Sequence, residues 1–323
     1  MNLSSSIDKY GFLSSIETST ETPHSSLKLN ARIEKWLVMI ENWSYYSKHK
    51  HNLIKSRVRK GIPDMLRSRV WVLITRGLDV KSSYTRHLYF RLCNQEDDPE
   101  CISIIEKDLN RTYPNHELFN CNLGQDSLRN ILRAYAFFDP EVGYCQGMAY
   151  IVGIIRMYMD EESSFWLLVA IMNHYDMRSM FKDGLDKVYQ CFYKANSLLK
   201  IYEPSIWNKL KDINFTPQIY STQWFMTIYS NFPIETRLRI WDCFLCEGPK
   251  ILFRVFIGFF RMNRKLFKSL TFENTLKIIR KIENECNQDE LLDAAFSINL
   301  SKKKLAQLEK EYAYKPRKEM ITW

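Results

Sequence analysis

The sequence predicts an all-α, two-lobed helical protein, and three observations lead there. Apolar residues recur at three- and four-residue spacings through most of the chain, the signature of amphipathic helices. No segment shows sustained strand alternation and no fixed-period repeat is present. Only 10 Gly and 10 Pro interrupt 323 residues that are 46% hydrophobic and 14% aromatic, a composition suited to one large core or two modest ones.

Residues 1–26 are Ser/Thr-rich and polar and read as a disordered or flexible leader. Residues 27–56 read as a helical approach, since Ile33, Leu37 and Ile40 share one side; within it, Leu27–Ile54 is expected to be helical. The basic run Lys48–His51 with Lys55, Arg57, Arg59 and Lys60 reads as a solvated face. Gly61-Ile62-Pro63 breaks the chain. The next helix carries Leu66, Val70, Leu73 and Ile74 on one side, with Gly77 as its expected end. Asp98-Pro99 supplies a cap and first-turn pair for a helix bearing Ile102, Ile105 and Leu109. Asp108 and Arg111 lie three apart and share a face, and Pro114 puts Arg111 at or just beyond the helix end.

A helix is expected over Gln125–Phe137. The turn Glu141-Val142-Gly143 then leads through Tyr144, Cys145, Gln146 and Gly147 into a helix running towards Met159, with Gln146 near its N-terminus. Glu162–Met172 is apolar on several sides and is expected to be buried. Asp186–Leu199 opens a further helical section, which Pro204, Pro217 and Pro233 divide into helix-sized pieces. One amphipathic helix is expected over Leu291–Tyr312. The expected organisation is a domain over residues 57–312, with lobes of about 57–175 and 176–312, and a tail at 313–323.

The formal charge of +9, at a sequence pI of about 9.0, favours an acidic partner. The basic residues are dispersed, and no nucleic-acid recognition module stands out, so nucleic acid is not expected. Eight scattered cysteines suggest reduced thiols rather than a disulfide framework. Cys243-x-x-Cys246 has no second half at zinc-site spacing and reads as helix interior. The apolar stretches Met148–Ile155 and Ile251–Phe260 are too short to span a membrane. His116 and His174 lack a nucleophile arrangement, and no G-x-x-x-x-G-K-[ST] loop is present.

Two strings carry possible chemistry: Ile105-x-x-Asp108-x-x-Arg111 and Tyr144-x-Gln146. A guanidinium stays charged and offers forked donors to phosphate oxygens; a carboxamide both donates and accepts, and so can hold a water. Read alone, Arg111 is a helix-terminal arginine paired with Asp108, and Gln146 a local cap. Gly143 and Gly147 read as allowing close backbone approach. Arg67, Trp71, Arg239, Trp241 and Asp242 read as interhelical packing with a paired charge, Asp242 meeting either Arg239 or Arg67.

The order and spacing of these segments resemble the TBC domain, a helical domain that accelerates GTP hydrolysis by Rab-type small GTPases. The resemblance runs from Arg59-Lys60-Gly61-Ile62-Pro63 through Leu66-Arg67, Val70-Trp71, the strings ending at Arg111-Thr112 and Gly147-Met148, and Phe165–Leu168. It continues through Gln223-Trp224-Phe225, Arg239-Ile240-Trp241-Asp242 and Leu308-Glu309-x-x-Tyr312. It implies that Arg111 is an arginine finger and Gln146 a glutamine finger, both supplied in trans. Asp108, Tyr144, Gly143, Gly147 and Thr112 would support them or meet the partner. It further implies a GTP-bound Rab-type partner that itself holds GTP and Mg²⁺, no cofactor of this chain's own, and a role in vesicle trafficking. The corresponding location is cytoplasmic and peripheral at endomembranes, with membrane contact indirect. The alternative in the same family is a Rab-binding scaffold with little or no activity.

Overall fold

A computed structural model of the chain describes residues 6–14, 23–96, 98–268 and 270–314. They fold as helices, apart from one hairpin of two-residue strands. The chain divides into two compact units, Met1–His174 and Tyr175–Trp323.

In the first unit, α1 (Pro23–Glu41), α2 (Trp43–His49) and α3 (His51–Arg59) replace the single approach helix expected from the sequence. Asn42 and Lys50 leave helical geometry between them (φ −105°, ψ 29° and φ −131°, ψ 35°). α4 (Arg67–Thr75) follows a 3₁₀ turn over Asp64–Leu66. It is stopped by Arg76 in the left-handed region (φ 59°), and Gly77 instead opens α5 (Gly77–Ser82). α6 (Leu88–Cys93), α7 (Pro99–Leu109), α8 (Asn122–Phe138), α9 (Met148–Arg156) and α10 (Glu161–His174) complete this unit. Asp98 caps α7 as expected, its side chain accepting from the Glu100 N–H at 3.0 Å. α10 is the core: every residue from Ser164 to Met172 is buried, against α4, α5, α8 and α9.

Part of the segment expected to be a flexible leader is ordered. β1 (Ser6–Ile7) and β2 (Leu13–Ser14) pair antiparallel. The Asp8 carboxylate accepts from the N–H groups of Tyr10 (2.8 Å) and Phe12 (2.9 Å), and Gly11 takes φ +89°. The hairpin lies on the loop that follows Arg111. Leu13 N–H donates to the Asn115 carbonyl and Glu117 N–H to that of Gly11, both at 2.8 Å. His116 Nδ1 accepts from Leu118 N–H, so its Nε2–H donates to the Tyr10 carbonyl at 2.8 Å. Burial holds the His116 pKa below its ordinary value, consistent with this neutral tautomer. Strands of two residues are too short for alternation to show in sequence.

The second unit contains α11 (Asp186–Tyr202), α12 (Pro204–Asp212), α13 (Pro217–Met226), α14 (Ile234–Glu247) and α15 (Lys250–Met262). It ends with α16 (Phe272–Asn284), α17 (Gln288–Phe296) and α18 (Lys302–Ala313). The last two replace the single helix expected over Leu291–Tyr312. Buried Ile298 and Leu300 turn the chain between them, and the Ser301 hydroxyl caps α18 by accepting from Lys304 N–H at 3.1 Å. Trp224 centres an aromatic core with Tyr229, Phe232 and Phe259, and its indole donates to buried Glu283 at 2.6 Å. α15 and α17 pack backbone to backbone at Gly258, where a Cβ would lie 2.8 Å from the Ala295 nitrogen.

Burial in this unit also sets a pH dependence. Desolvation pushes the thiols of Cys191 and Cys286 up to about 12 from an ordinary 9.0. The folded state therefore keeps protons that the unfolded chain releases above pH 9. Their stabilisation is complete below pH 9 and is lost as pH rises towards 12, by about 1.4 kcal/mol per pH unit for each thiol. Urea unfolding at pH 8 and pH 10 should show this loss, and Cys191→Ala should reduce the difference. An unchanged difference in the variant would contradict the assignment.

Candidate functional site

α7 ends at Leu109, and Arg111 follows two residues later, its N–H donating to the Asp108 carbonyl at 3.2 Å in a tightened last turn. The Thr112 hydroxyl donates to the same carbonyl at 2.7 Å. Thr112 is buried, so it supports the turn from beneath. The Asp108 side chain is only 1% exposed, while that of Arg111 is 47% exposed. Asp108 Oδ1 accepts from Arg111 Nε at 2.6 Å and also from Nη2. Its Oδ2 accepts from the Tyr144 hydroxyl and from the Gly147 N–H, the latter at 3.0 Å. A buried carboxylate with four donors is well compensated, and it fixes two chain segments at once.

Gln146 lies on the second segment, two residues before α9 and exposed. With its carboxamide oxygen turned towards Arg111, that oxygen accepts from Nη1 at 3.2 Å and from Nη2 at 2.6 Å. The two candidate finger residues, 35 positions apart in sequence, are thus hydrogen-bonded neighbours at the surface. One edge of the guanidinium is gripped by Asp108, and the other faces outward beside Gln146.

The glycines serve different ends. Gly147 takes φ +100° as the residue before α9, which lets its N–H reach buried Asp108. Gly143 corrects the close-approach expectation: a Cβ there would meet nothing within 4 Å, and its φ of +60° is the feature that favours glycine. Tyr144 is a structural partner of Asp108, its hydroxyl donating to Oδ2. Burial first, then its bond to Asp108, raises its pKa well above the ordinary tyrosine range, so the hydroxyl remains a donor.

Arg67, Trp71, Trp241 and Asp242 are buried. Arg67 pairs with Asp64 and lies over the Tyr158 ring at 5.9 Å. Arg239 pairs with Asp289 at 2.9 Å. These partners, Asp64 and Asp289, were not anticipated from spacing; Asp64 lies just before Arg67, but Asp289 comes from α17. Cys243 is buried within α14, and among the described residues no group of three His, Cys, Asp or Glu side chains could hold a metal ion. Among the same residues, no helix is long and apolar enough to cross a membrane.

Two residues that the motifs did not mark also join the site. The Tyr150 hydroxyl donates to the Arg111 carbonyl at 3.1 Å, and the Tyr113 hydroxyl donates to the Tyr150 carbonyl at 3.1 Å. Gly153 admits the Tyr113 ring, because a Cβ there would lie 2.7 Å from it. The one sequence signal for Tyr150 is its position four residues after Gln146.

Residues 64–268 match the Rab-GTPase-TBC domain family, and the chain belongs to that family. It is 33% identical over 293 residues to the human Ecotropic viral integration site 5 protein homolog, covering 88% of this chain and 35% of that protein. It is 32% identical over 299 residues to the Drosophila melanogaster TBC1 domain family member whacked, covering 90% of this chain and 82% of that one. The chain thus spans about a third of the length of the human relative. Its fold is similar to the crystal structure of the Chlamydomonas flagellar RabGAP TBC domain, at a TM-score of 0.72 and 24% identity, covering 90% of this chain and 99% of that one.

Proposed function

We propose that the protein is a GTPase-activating protein for a Rab-type small GTPase in its GTP-bound state, supplying Arg111 and Gln146 in trans. Family membership supports the class of partner. The observation that carries the mechanism is the contact between Arg111 and Gln146, held over buried Asp108. The partner holds the nucleotide and Mg²⁺. Its phosphate oxygens, being charged, displace the neutral carboxamide as acceptors for the outward donors of Arg111. The guanidinium then neutralises charge that grows as the γ-phosphoryl group transfers, in a site the docked surfaces close to water. Gln146, released from Arg111, orients the attacking water by donating and accepting together. Neither residue exchanges a proton with the substrate. Membrane attachment comes through the partner.

Single-turnover GTP hydrolysis across a panel of Rab-type GTPases tests this reading, with wild type beside Gln146→Ala. At least one panel member should be accelerated by wild type. Gln146→Ala should lose about 10-fold or more of that acceleration, the cost of an unpositioned water. Tight binding of a GTP-loaded member without acceleration would replace this reading with that of a binding module.

A further inference from the structure

We propose that Tyr150 is a positioning residue that sets the distance between the arginine-bearing turn and the glutamine-bearing turn. The inference rests on the activating function proposed above and deepens it.

Asp108 grips the Arg111 guanidinium, but a grip on a long side chain does not fix the backbone that carries it. Arg111 lies beyond the last turn of α7, where carbonyl groups lose their helical partners. Its N–H is used within the turn, and its carbonyl is taken by the Tyr150 hydroxyl at 3.1 Å. Tyr150 lies in the first turn of α9, four residues after Gln146. The bond therefore ties the backbone of Arg111 to the helix that begins two residues after Gln146.

Other bonds run between the same segments: the Gly147 N–H (3.0 Å) and the Tyr144 hydroxyl donate to Asp108, Arg111 donates to the Gln146 carboxamide, and the Tyr113 hydroxyl donates to the Tyr150 carbonyl at 3.1 Å. Of these, none holds the Arg111 backbone. The Tyr113 and Tyr150 rings meet edge to face, with centroids 5.5 Å apart and planes at 89°. The ring contact and the Tyr113 bond do not need the Tyr150 hydroxyl. That hydroxyl donates to the Arg111 carbonyl at a half-buried position where water can replace it as a donor. Its removal should barely change folding while freeing the arginine turn.

Tyr150→Phe is the test, in the full chain. The midpoint of thermal unfolding should move by no more than about 2–4 °C, the scale of 1 kcal/mol in a domain of this size. With a responsive GTPase, kcat should fall about 10-fold at nearly constant KM, since a 1 Å misplacement costs up to about 10²-fold. In an Arg111→Ala background the same substitution should change kcat by less than about twofold, because the two residues act as one unit. A second readout needs no partner: hydrogen exchange at Arg111 Nε, followed by NMR in the free protein, should quicken by about fivefold or more in Tyr150→Phe. Unchanged kcat with unchanged Nε exchange overturns the proposal, as does an equal kcat loss in both backgrounds. If wild type accelerates no GTPase, the activating function falls, and the Nε exchange still decides the role of Tyr150.

Discussion

Arg111→Ala is expected to reduce stimulated GTP hydrolysis by about 10³–10⁵-fold, or ~4–7 kcal/mol of transition-state stabilisation. The loss should appear in single-turnover rates, with binding of the GTP-loaded partner held within about 10-fold, because the charge that Arg111 meets develops only during transfer. The substitution also strips Oδ1 of buried Asp108 of both its donors, so stability should fall by about 1–3 kcal/mol. Arg111→Lys separates the two effects. It leaves a cation near Asp108 and should restore much of the stability. It lacks the forked edge that binds Asp108 and faces outward at once, so it should restore little of the rate. Wild-type stimulation by a folded Arg111→Ala protein would remove Arg111 from the mechanism.

Asp108→Ala should be nearly as damaging to activity and more damaging to the fold. Four donors converge on this carboxylate, from Arg111, Tyr144 and Gly147. Arg111 is half exposed and can hydrate, whereas the Gly147 N–H is buried and the Tyr144 hydroxyl is partly so. The expected destabilisation is about 2–4 kcal/mol, read from urea unfolding. Asp108→Asn keeps the shape and one carbonyl oxygen, and the Tyr144 hydroxyl can reverse to accept from the new amide, but that amide then meets the buried Gly147 N–H donor to donor. Folding should recover only in part, because the Gly147 N–H stays unsatisfied, while Arg111 loses its charged anchor and kcat falls by about 10–100-fold. Wild-type kcat in Asp108→Asn would show that the anchor does not position the arginine.

The frames Ile105-x-x-Asp108-x-x-Arg111 and Tyr144-x-Gln146 were legible because each lies within a few residues, where helix and turn geometry relates side chains directly. The same local logic located the cap at Asp98 and the buried run in α10. It was less successful wherever the chain turned without a strong breaker. Arg76 rather than Gly77 takes the left-handed position that stops α4, and α17 and α18 part at a turn built on buried Ile298 and Leu300. The hairpin beside His116 is a tertiary feature throughout. Its Ser-rich flanks resemble any polar leader, and its order comes from contacts to residues 115–118.

Taken by itself, the sequence determined the helical class, the two candidate finger residues and the family they resemble, since periodicity, capping and short frames are local properties. Only the tertiary structure decided that Arg111 and Gln146 touch and that Asp108 holds both turns. It alone placed Tyr150 on the Arg111 carbonyl. The physical reason is range. These bonds join residues 35 to 39 positions apart, and a hydrogen bond specifies distance and direction that the identity of either partner leaves open. The helices that carry the partners must first be packed together, and that packing is a property of the whole unit rather than of any motif.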